Sequence, residues 1–166
     1  VTLEFDQTDR YACELMAALG AAGLPVVFTQ PNADTHWRSI CARIDEFRRD
    51  HQAAEVVDTL GTQGYFSLMA LAAAMVGNSS SGLIEAPSFE LPVVNVGTRQ
   101  GGRLRAANVI DVGYQRHEIS EGLSRALDPV FRQSLAGLAN PYGDGHAAER
   151  IVARLTSVPL GARLLT

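Results

Sequence analysis

Apolar residues recur along this chain in two alternating patterns. Several segments carry them at helical spacing, as at Ala12, Leu15 and Leu19, which places them on one face of a helix. Short β-branched runs separate these segments and predict buried strands. The predicted strands are residues 25–29, 55–58, 75–77, 92–96 and 108–111, and the predicted helices are residues 8–20, 37–47, 65–74, 80–89, 117–127 and 145–155. This alternation predicts an α/β fold, a Rossmann-like parallel sheet with helices on both faces.

The length and the net charge of the chain limit the kinds of function that it can have. A chain of 166 residues suffices for one domain with its own hydrophobic core, so we expect residues 1–166 to form one domain. The net charge of −4 argues against broad binding to nucleic acids or anionic membranes. The longest apolar run, residues 65–76, is too short to cross a bilayer. We therefore predict neither a nucleic-acid partner nor a membrane partner.

The cysteines and histidines do not indicate a metal site. Cys13 and Cys41 fall on apolar faces of predicted helices, where a thiol packs as a small core residue. The four histidines are scattered along the chain without metal-ligand spacing. A reducing, cytoplasmic setting is the default for such a chain, and we predict no metal ion.

The most informative segment is Gly77-Asn-Ser-Ser-Ser-Gly82, which connects a predicted strand to a predicted helix. Ligands of open α/β sheets bind at the carboxyl ends of the strands, and the first N–H groups of a helix attract anions. One serine could simply cap the helix, but Ser79, Ser80 and Ser81 exceed the needs of a single cap. We predict that these serines, with Gly82, bind a phosphate.

A different partner is predicted for the carboxylate of Glu85. It lies four residues after Ser81, whereas a reciprocal capping box requires a spacing of three. A carboxylate close to a phosphate must face some other group, and the two hydroxyls of a ribose are suitable donors. We therefore predict that Glu85 accepts hydrogen bonds from a ribose.

The loop of residues 97–105 follows the next predicted strand, so we expect it beside the serine-rich turn. Its cluster of Arg99, Arg103 and Arg105 is too small for a nucleic acid and suits one small anion. Arginine can hold a phosphate with two parallel hydrogen bonds. We predict that Arg99 contacts the phosphate, whereas Arg105 is interpreted as a solvated surface residue.

Two other polar segments follow apolar elements. Asn32 comes shortly after the first predicted strand and is expected to face the same cleft, while Asp34 is predicted to cap the next helix. The segment Asn140-Pro-Tyr-Gly-Asp-Gly145 is interpreted from its chemistry as a plain turn before a capped helix.

Taken together, these segments resemble the UDP-N-acetylglucosamine 2-epimerase family in its hydrolysing branch. The resemblance covers nearly the whole chain in order, and the pairing of Asn-Ser-Ser-Ser-Gly with Arg-Gln-x-Gly-Arg is specific for that branch. The matching segments are Thr2-Leu-Glu4, Gln30-Pro-Asn-Ala-Asp34, Gly77-Asn-Ser-Ser-Ser-Gly82, Glu85-Ala-Pro-Ser-Phe89, Arg99-Gln-Gly-Gly-Arg103 and Asn140-Pro-Tyr-Gly-Asp-Gly145. The chain departs from the family pattern at Gly101, Glu90 and His146, where lysine, glycine and asparagine are usual.

The resemblance implies that residues 1–166 are the UDP-binding domain and the C-terminal half of a GT-B-type two-domain enzyme. The catalytic carboxylates would belong to an N-terminal domain that is absent from this chain, which begins at Val1 without a methionine, so we assign no catalytic residue here. The implied contacts are Ser79 and Ser80 to the diphosphate, Glu85 to the ribose, Arg99 to the UDP moiety and Asn32 near the sugar.

The reaction implied by the resemblance removes UDP from C1 and a proton from C2 of an N-acetylated UDP-sugar. Water then adds and releases the free 2-epimerised sugar, a precursor of sialic acid-type sugars, with no metal or redox cofactor. Two alternatives stay open: the nucleotide domain of a GT-B glycosyltransferase and a non-catalytic UDP-binding module. A homo-oligomer is compatible with each of them.

Overall fold

The computed structural model describes residues 5–31 and 36–158. Within them, helices and strands alternate as the apolar patterns predict. The strands are β1 (Val26–Thr29), β2 (Ala54–Val57), β3 (Met75–Gly77), β4 (Val93–Val96) and β5 (Val109–Val112). The helices are α1 (Thr8–Ala22), α2 (Trp37–Asp50), α3 (Gly61–Leu71), α4 (Ser81–Ile84), α5 (Arg116–Leu127), α6 (Pro129–Ser134) and α7 (Ala147–Ser157), with 3₁₀ turns at Phe5–Gln7 and Ala86–Phe89.

All the strand pairs are parallel, and they form two groups. β1 pairs with β2 in a two-stranded sheet, and β4 lies between β3 and β5 in a three-stranded sheet. The predicted parallel α/β fold is therefore confirmed, with its strands divided between two sheets. Because β3 and β4 run side by side in the same direction, the loops that follow them are neighbours.

Strand β4 is buried on both faces and forms the centre of the larger sheet. Val94 packs against α5, where it meets Ile119 in a cluster that also includes part of α1. Val93 points to the opposite face, toward Met69 of α3. Gly122 allows α5 to approach closely, because a Cβ there would lie 2.9 Å from a methyl group of Val94. The prediction of helices on both faces is confirmed for this sheet.

A group of polar side chains joins α1 to α2. Asp9 accepts hydrogen bonds from Arg43 at 2.9 Å and 2.8 Å and from the Ser39 hydroxyl at 2.8 Å. These hydrogen bonds, above all those from Arg43, lower the pKa of Asp9 from 3.8 to about 2. Helix α1 continues two residues beyond the predicted range, to Ala22, and Gly23 follows it with a φ of 64°, the left-handed conformation that favours glycine.

The predicted helix over residues 80–89 is two short elements in the structure. Helix α4 is a single turn, and the 3₁₀ turn Ala86–Phe89 follows it. Pro87 explains the break, since it has no N–H to donate to the carbonyl four residues earlier and its ring would clash with that carbonyl. Glu85 therefore lies at the junction of the two elements and not within a helix.

The interpretation of the cysteines as core residues is wrong for Cys13, which is exposed. Helix α1 turns Ala12 and Ala18 toward the core, and this orientation directs the neighbouring Cys13 to the solvent. Cys41 is half-buried, and this burial raises the pKa of its thiol.

One helix start agrees with the sequence prediction, and one helix has no counterpart in it. Helix α2 begins at Trp37 after His36, and Asp34, the predicted cap, lies outside the described residues. Helix α6 is not predicted by the apolar pattern, but its start follows ordinary capping rules. Asp128 accepts a hydrogen bond from the Val130 N–H at 2.7 Å, and a proline occupies the first helical position.

Candidate functional site

A cavity of about 950 Å³ opens at the carboxyl ends of the strands and continues between the two sheets. Polar residues from the loops after four strands line its outer part, whereas apolar side chains line the part between the sheets. The polar lining comprises Gln30 after β1, Asp58 and Thr59 after β2, Asn78, Ser79, Ser81 and Glu85 after β3, and Thr98 and Arg99 after β4. This is the edge where ligands of open α/β sheets bind.

Four of the predicted site residues line this one cavity: Ser79, Ser81, Glu85 and Arg99. They come from two loops, which we call the serine turn (residues 77–82) and the arginine loop (residues 97–105). Asn32 lies outside the described residues, so its predicted place near the sugar stays a prediction.

Within the serine turn, Ser79 and Ser81 are linked, because the N–H of Ser81 donates to the Ser79 hydroxyl at 3.3 Å. Ser80 precedes α4 without a side-chain capping bond, and it is not part of the cavity lining. The N–H of Gly82 donates to the Ser79 carbonyl, and that of Leu83 donates to the Ser80 carbonyl. These two N–H groups are therefore hydrogen-bonded within the turn. An anion would contact the N–H groups that precede them in the turn and the serine hydroxyls.

Gly82, predicted to contact the phosphate, packs against the sheet. It is buried, and a Cβ at this position would lie 2.7 Å from a methyl group of Val93 on β4. The absence of a side chain therefore allows α4 to rest on β4. This contact gives Gly82 a packing role and places it below the surface of the cleft.

Glu85 lines the cavity at the junction that follows α4. Its Oε2 atom is buried and has no hydrogen-bond partner among the described residues. Buried carboxylate oxygens normally accept hydrogen bonds. A ligand that brings hydroxyl donors to this edge would therefore satisfy an acceptor that the described residues leave unused.

Arg105 is not the solvated surface residue that the sequence suggests. Its Nε atom forms an ion pair with the Asp111 carboxylate at 2.7 Å, and its terminal nitrogens donate to the carbonyls of Arg103 at 2.7 Å and Gln100 at 3.2 Å. Asp111 in turn accepts from the Asn95 amide on β4 at 2.7 Å. Arg105 thus fastens the arginine loop to the sheet, while Arg99, from the same loop, lines the cavity.

Gln100 joins the two loops directly, a role that the sequence analysis missed. It is 3% exposed, and its Nε2 atom donates to the Asn78 carbonyl at 2.7 Å. Its position within the Arg-Gln-x-Gly-Arg segment indicates that this glutamine matters, but the partner lies 22 residues away and has no local pattern. The hydrogen bond fixes the separation between the serine turn and the arginine loop.

The segment of residues 140–145 is more than the plain turn that its chemistry suggests. Asn140 donates to the Ile84 carbonyl at 2.8 Å and to the Ser88 hydroxyl at 2.7 Å. Tyr142 donates from its hydroxyl to the Leu104 carbonyl at 3.0 Å. The segment therefore contacts the elements on either side of Glu85 and also the arginine loop.

The same segment leads into α7, but the N-cap residue His146 makes no side-chain capping hydrogen bond, so the prediction of a capped helix is wrong. Asp144 accepts a hydrogen bond from the His146 N–H at 3.1 Å, and it pairs with Arg150. The hydrogen bonds from Arg150 lower the pKa of Asp144.

Over residues 5–31 and 36–158, no group of three or more histidine, cysteine and carboxylate side chains could hold a metal ion. In the same part of the chain, no helix is both long enough and apolar enough to span a bilayer.

Comparisons with known proteins point to one family. The family model described as UDP-N-acetylglucosamine 2-epimerase matches residues 2–156. The UDP-N,N'-diacetylbacillosamine 2-epimerase (hydrolyzing) of Legionella pneumophila is 40% identical over 152 residues, which are 91% of this chain and 38% of that protein. The GDP/UDP-N,N'-diacetylbacillosamine 2-epimerase (hydrolyzing) of Campylobacter jejuni is 37% identical over 66% of this chain and 28% of its own length. The chain thus spans about two fifths or less of the length of each of these relatives.

Solved structures show the same fold. The Neisseria meningitidis UDP-GlcNAc 2-epimerase bound to UDP-GlcNAc matches with a TM-score of 0.74 and 18% identity over 90% of this chain and 41% of that chain. S. aureus MnaA, solved with UDP, also matches with a TM-score of 0.74, at 19% identity over 88% of this chain and 41% of its own. These neighbours have the GT-B fold. The chain belongs to the UDP-N-acetylglucosamine 2-epimerase family.

Proposed function

We propose that this chain binds the UDP moiety of an N-acetylated UDP-sugar, as the nucleotide-binding domain of a hydrolysing 2-epimerase. The observation that carries the proposal is the meeting of Ser79, Ser81, Glu85 and Arg99 on one cavity at the carboxyl edge of the strands. Hydroxyls and a guanidinium suit a diphosphate, and a carboxylate suits a ribose diol.

The proposed roles follow from the chemistry of each side chain. Arg99 provides the positive charge for the diphosphate and can hold it with two hydrogen bonds. Ser79 and Ser81 contribute hydroxyl donors; Ser81 replaces Ser80 in this role because it lines the cavity and Ser80 does not. Glu85 accepts from the ribose through a carboxylate oxygen that has no partner among the described residues.

For the whole enzyme we propose the hydrolysing reaction, in which UDP leaves C1, a proton leaves C2 and water releases the free epimerised sugar. Negative charge develops on the diphosphate as the C1–O bond breaks, and donors already in place favour that state. One well-placed donor can lower such a barrier by roughly 3 kcal/mol. The acid and base groups come from residues outside this chain, so the chain alone is expected to show no turnover.

The sugar is proposed to be a 2,4-diacetamido-trideoxy sugar, because the relatives at 40% and 37% identity are named for UDP-N,N'-diacetylbacillosamine. Membership of the epimerase family favours this reaction over transfer to an acceptor by a glycosyltransferase. Incubation of the full-length enzyme with the UDP-sugar and no acceptor tests the choice, because the proposal requires release of UDP together with the free 2-epimerised sugar.

Calorimetry on the 166-residue chain tests nucleotide binding directly. We expect UDP to bind more tightly than uridine, because only UDP reaches Arg99 and the serine turn. In the Arg99→Ala variant, UDP and uridine should bind with nearly equal affinity. Arg154→Ala, on the exposed helix α7, is the control that removes the same charge away from the cavity. Equal affinities for UDP and uridine in the unchanged chain would refute the diphosphate site.

A further inference from the structure

We propose that Asn140 and Tyr142 are positioning residues, which hold the arginine loop at a fixed distance from the element that carries Glu85. This inference rests on the proposed function, because it assigns the residues that shape the UDP site without touching the ligand. We call the two side chains the outer brace, as distinct from the inner link between Gln100 and Asn78.

Asn140 uses its whole side-chain amide in the outer brace. Its Nδ2 atom donates to the Ile84 carbonyl at 2.8 Å and to the Ser88 hydroxyl at 2.7 Å. Ile84 precedes Glu85 by one residue and Ser88 follows it by three, so the amide spans the break that Pro87 imposes. With both of its N–H donors engaged, the Asn140 side chain has one defined orientation.

The side-chain oxygen of Asn140 links this amide to Tyr142. Asn140 Oδ1 accepts from the Tyr142 N–H at 2.9 Å, and the Tyr142 hydroxyl donates to the Leu104 carbonyl at 3.0 Å. A continuous chain of hydrogen bonds therefore runs from the two sides of Glu85 through Asn140 and Tyr142 to the far end of the arginine loop.

The arginine loop is attached to its surroundings at its middle and at its end. Gln100 ties its middle to Asn78 at the inner side of the cleft, and Tyr142 ties its end at Leu104. Arg105 holds the same end through its ion pair with Asp111, and the Tyr142 hydroxyl adds an attachment beside it that connects this end to the element that carries Glu85. A site that is already ordered avoids the entropy cost of ordering when the ligand binds.

Tyr142→Phe is the sharpest test, because it removes one hydroxyl from a side chain that is 41% exposed and leaves the fold intact. We expect the dissociation constant for UDP, measured by calorimetry, to rise roughly threefold to tenfold, the range for one lost hydrogen bond. Ser134→Ala is the matched control, since it also removes a hydroxyl-to-carbonyl hydrogen bond, on α6, and should leave UDP affinity unchanged.

A double-mutant cycle separates positioning from a general structural effect. If Tyr142 acts through Arg99, then Tyr142→Phe should change UDP affinity by less than twofold in an Arg99→Ala background. An unchanged effect of Tyr142→Phe in that background would overturn the positioning role. Asn140→Ala, which removes the hydrogen bonds to Ile84 and Ser88 and the one from the Tyr142 N–H, should weaken UDP binding more than Tyr142→Phe does.

Hydrogen exchange on the ligand-free chain tests the brace independently of UDP. The N–H groups of Gly101 and Arg103 are hydrogen-bonded within the arginine loop, and they should exchange faster in Tyr142→Phe than in the unchanged chain or in Ser134→Ala. Absence of UDP binding in the unchanged chain would refute the proposed function and with it the positioning role. Normal UDP binding, with affinity and exchange both unchanged by Tyr142→Phe, would overturn the brace alone.

Discussion

Gln100→Glu is the most informative single change in the cleft, because it keeps the shape of the side chain and removes its donor. Gln100 is 3% exposed, and its amide donates to the Asn78 carbonyl at 2.7 Å. An ionised carboxylate cannot donate, so the substitution sets two acceptors against each other at this short distance. The serine turn and the arginine loop should then separate.

The magnitude follows from two contributions. Loss of the hydrogen bond costs about 1 kcal/mol, and a carboxylate oxygen without a donor at position 100, which is 3% exposed in the unchanged chain, costs a further 1–3 kcal/mol. We therefore expect Gln100→Glu to lower the free energy of unfolding by roughly 2–4 kcal/mol at neutral pH. Gln100→Leu should cost less, about 1 kcal/mol, because it also removes the Gln100 oxygen that has no partner among the described residues.

The pH dependence distinguishes the two variants. Burial raises the pKa of the introduced carboxyl above its unfolded value, and the protonated form can donate to the Asn78 carbonyl. The Gln100→Glu variant is therefore most stable at a pH below the pKa that this carboxyl has in the unfolded chain. It loses that stability as the pH rises through the pKa of the carboxyl in the folded chain. Urea denaturation at pH 7.5 and pH 5 should show a smaller deficit at the lower pH for Gln100→Glu, and a constant deficit for Gln100→Leu. A midpoint equal to that of the unchanged chain at pH 7.5 would refute the inner link.

Three further changes test the site and the fold. Glu85→Gln should weaken UDP binding in calorimetry by roughly 1–3 kcal/mol and should matter much less for a 2',3'-dideoxyribose analogue; equal losses would show that Glu85 does not contact the ribose. Arg99→Lys keeps the charge but loses the two-pronged geometry, so it should weaken UDP binding less than Arg99→Ala, and only Arg99→Ala should reduce the salt dependence of affinity. Because the Arg43 hydrogen bonds lower the pKa of Asp9 from 3.8 to about 2, this group stabilises the fold above about pH 4 and loses that effect as the pH falls toward 2. Acid titration of unfolding should show a shallower decline for Asp9→Asn, and identical curves would exclude this contribution.

The strands and the placement of the serine turn could be predicted from the sequence because their causes are local. A short β-branched run marks β4, and the two glycines and three serines after β3 mark a turn at the edge of the sheet. The break at Pro87 also has a local cause, since proline cannot continue a helix in this position. The Asp128–Pro129 pair likewise could have predicted the start of α6.

The supports of the cleft could not be predicted in this way, because their partners are distant in sequence. Gln100 reaches Asn78 across 22 residues, and Asn140 reaches Ile84 across 56. Asp111 follows Arg105 closely in sequence, but the apolar pattern does not indicate that the two side chains form an ion pair. Such pairings depend on how the sheet brings loops together, which periodicity does not specify.

A crystal structure of the 166-residue chain with UDP tests the central claim most directly. We predict that the diphosphate lies within hydrogen-bond distance of Arg99 and of the hydroxyls of Ser79 and Ser81, with the ribose hydroxyls on the Glu85 carboxylate. A diphosphate away from these side chains, or a nucleotide bound outside the cleft at the carboxyl edge of the strands, would contradict the proposed UDP site.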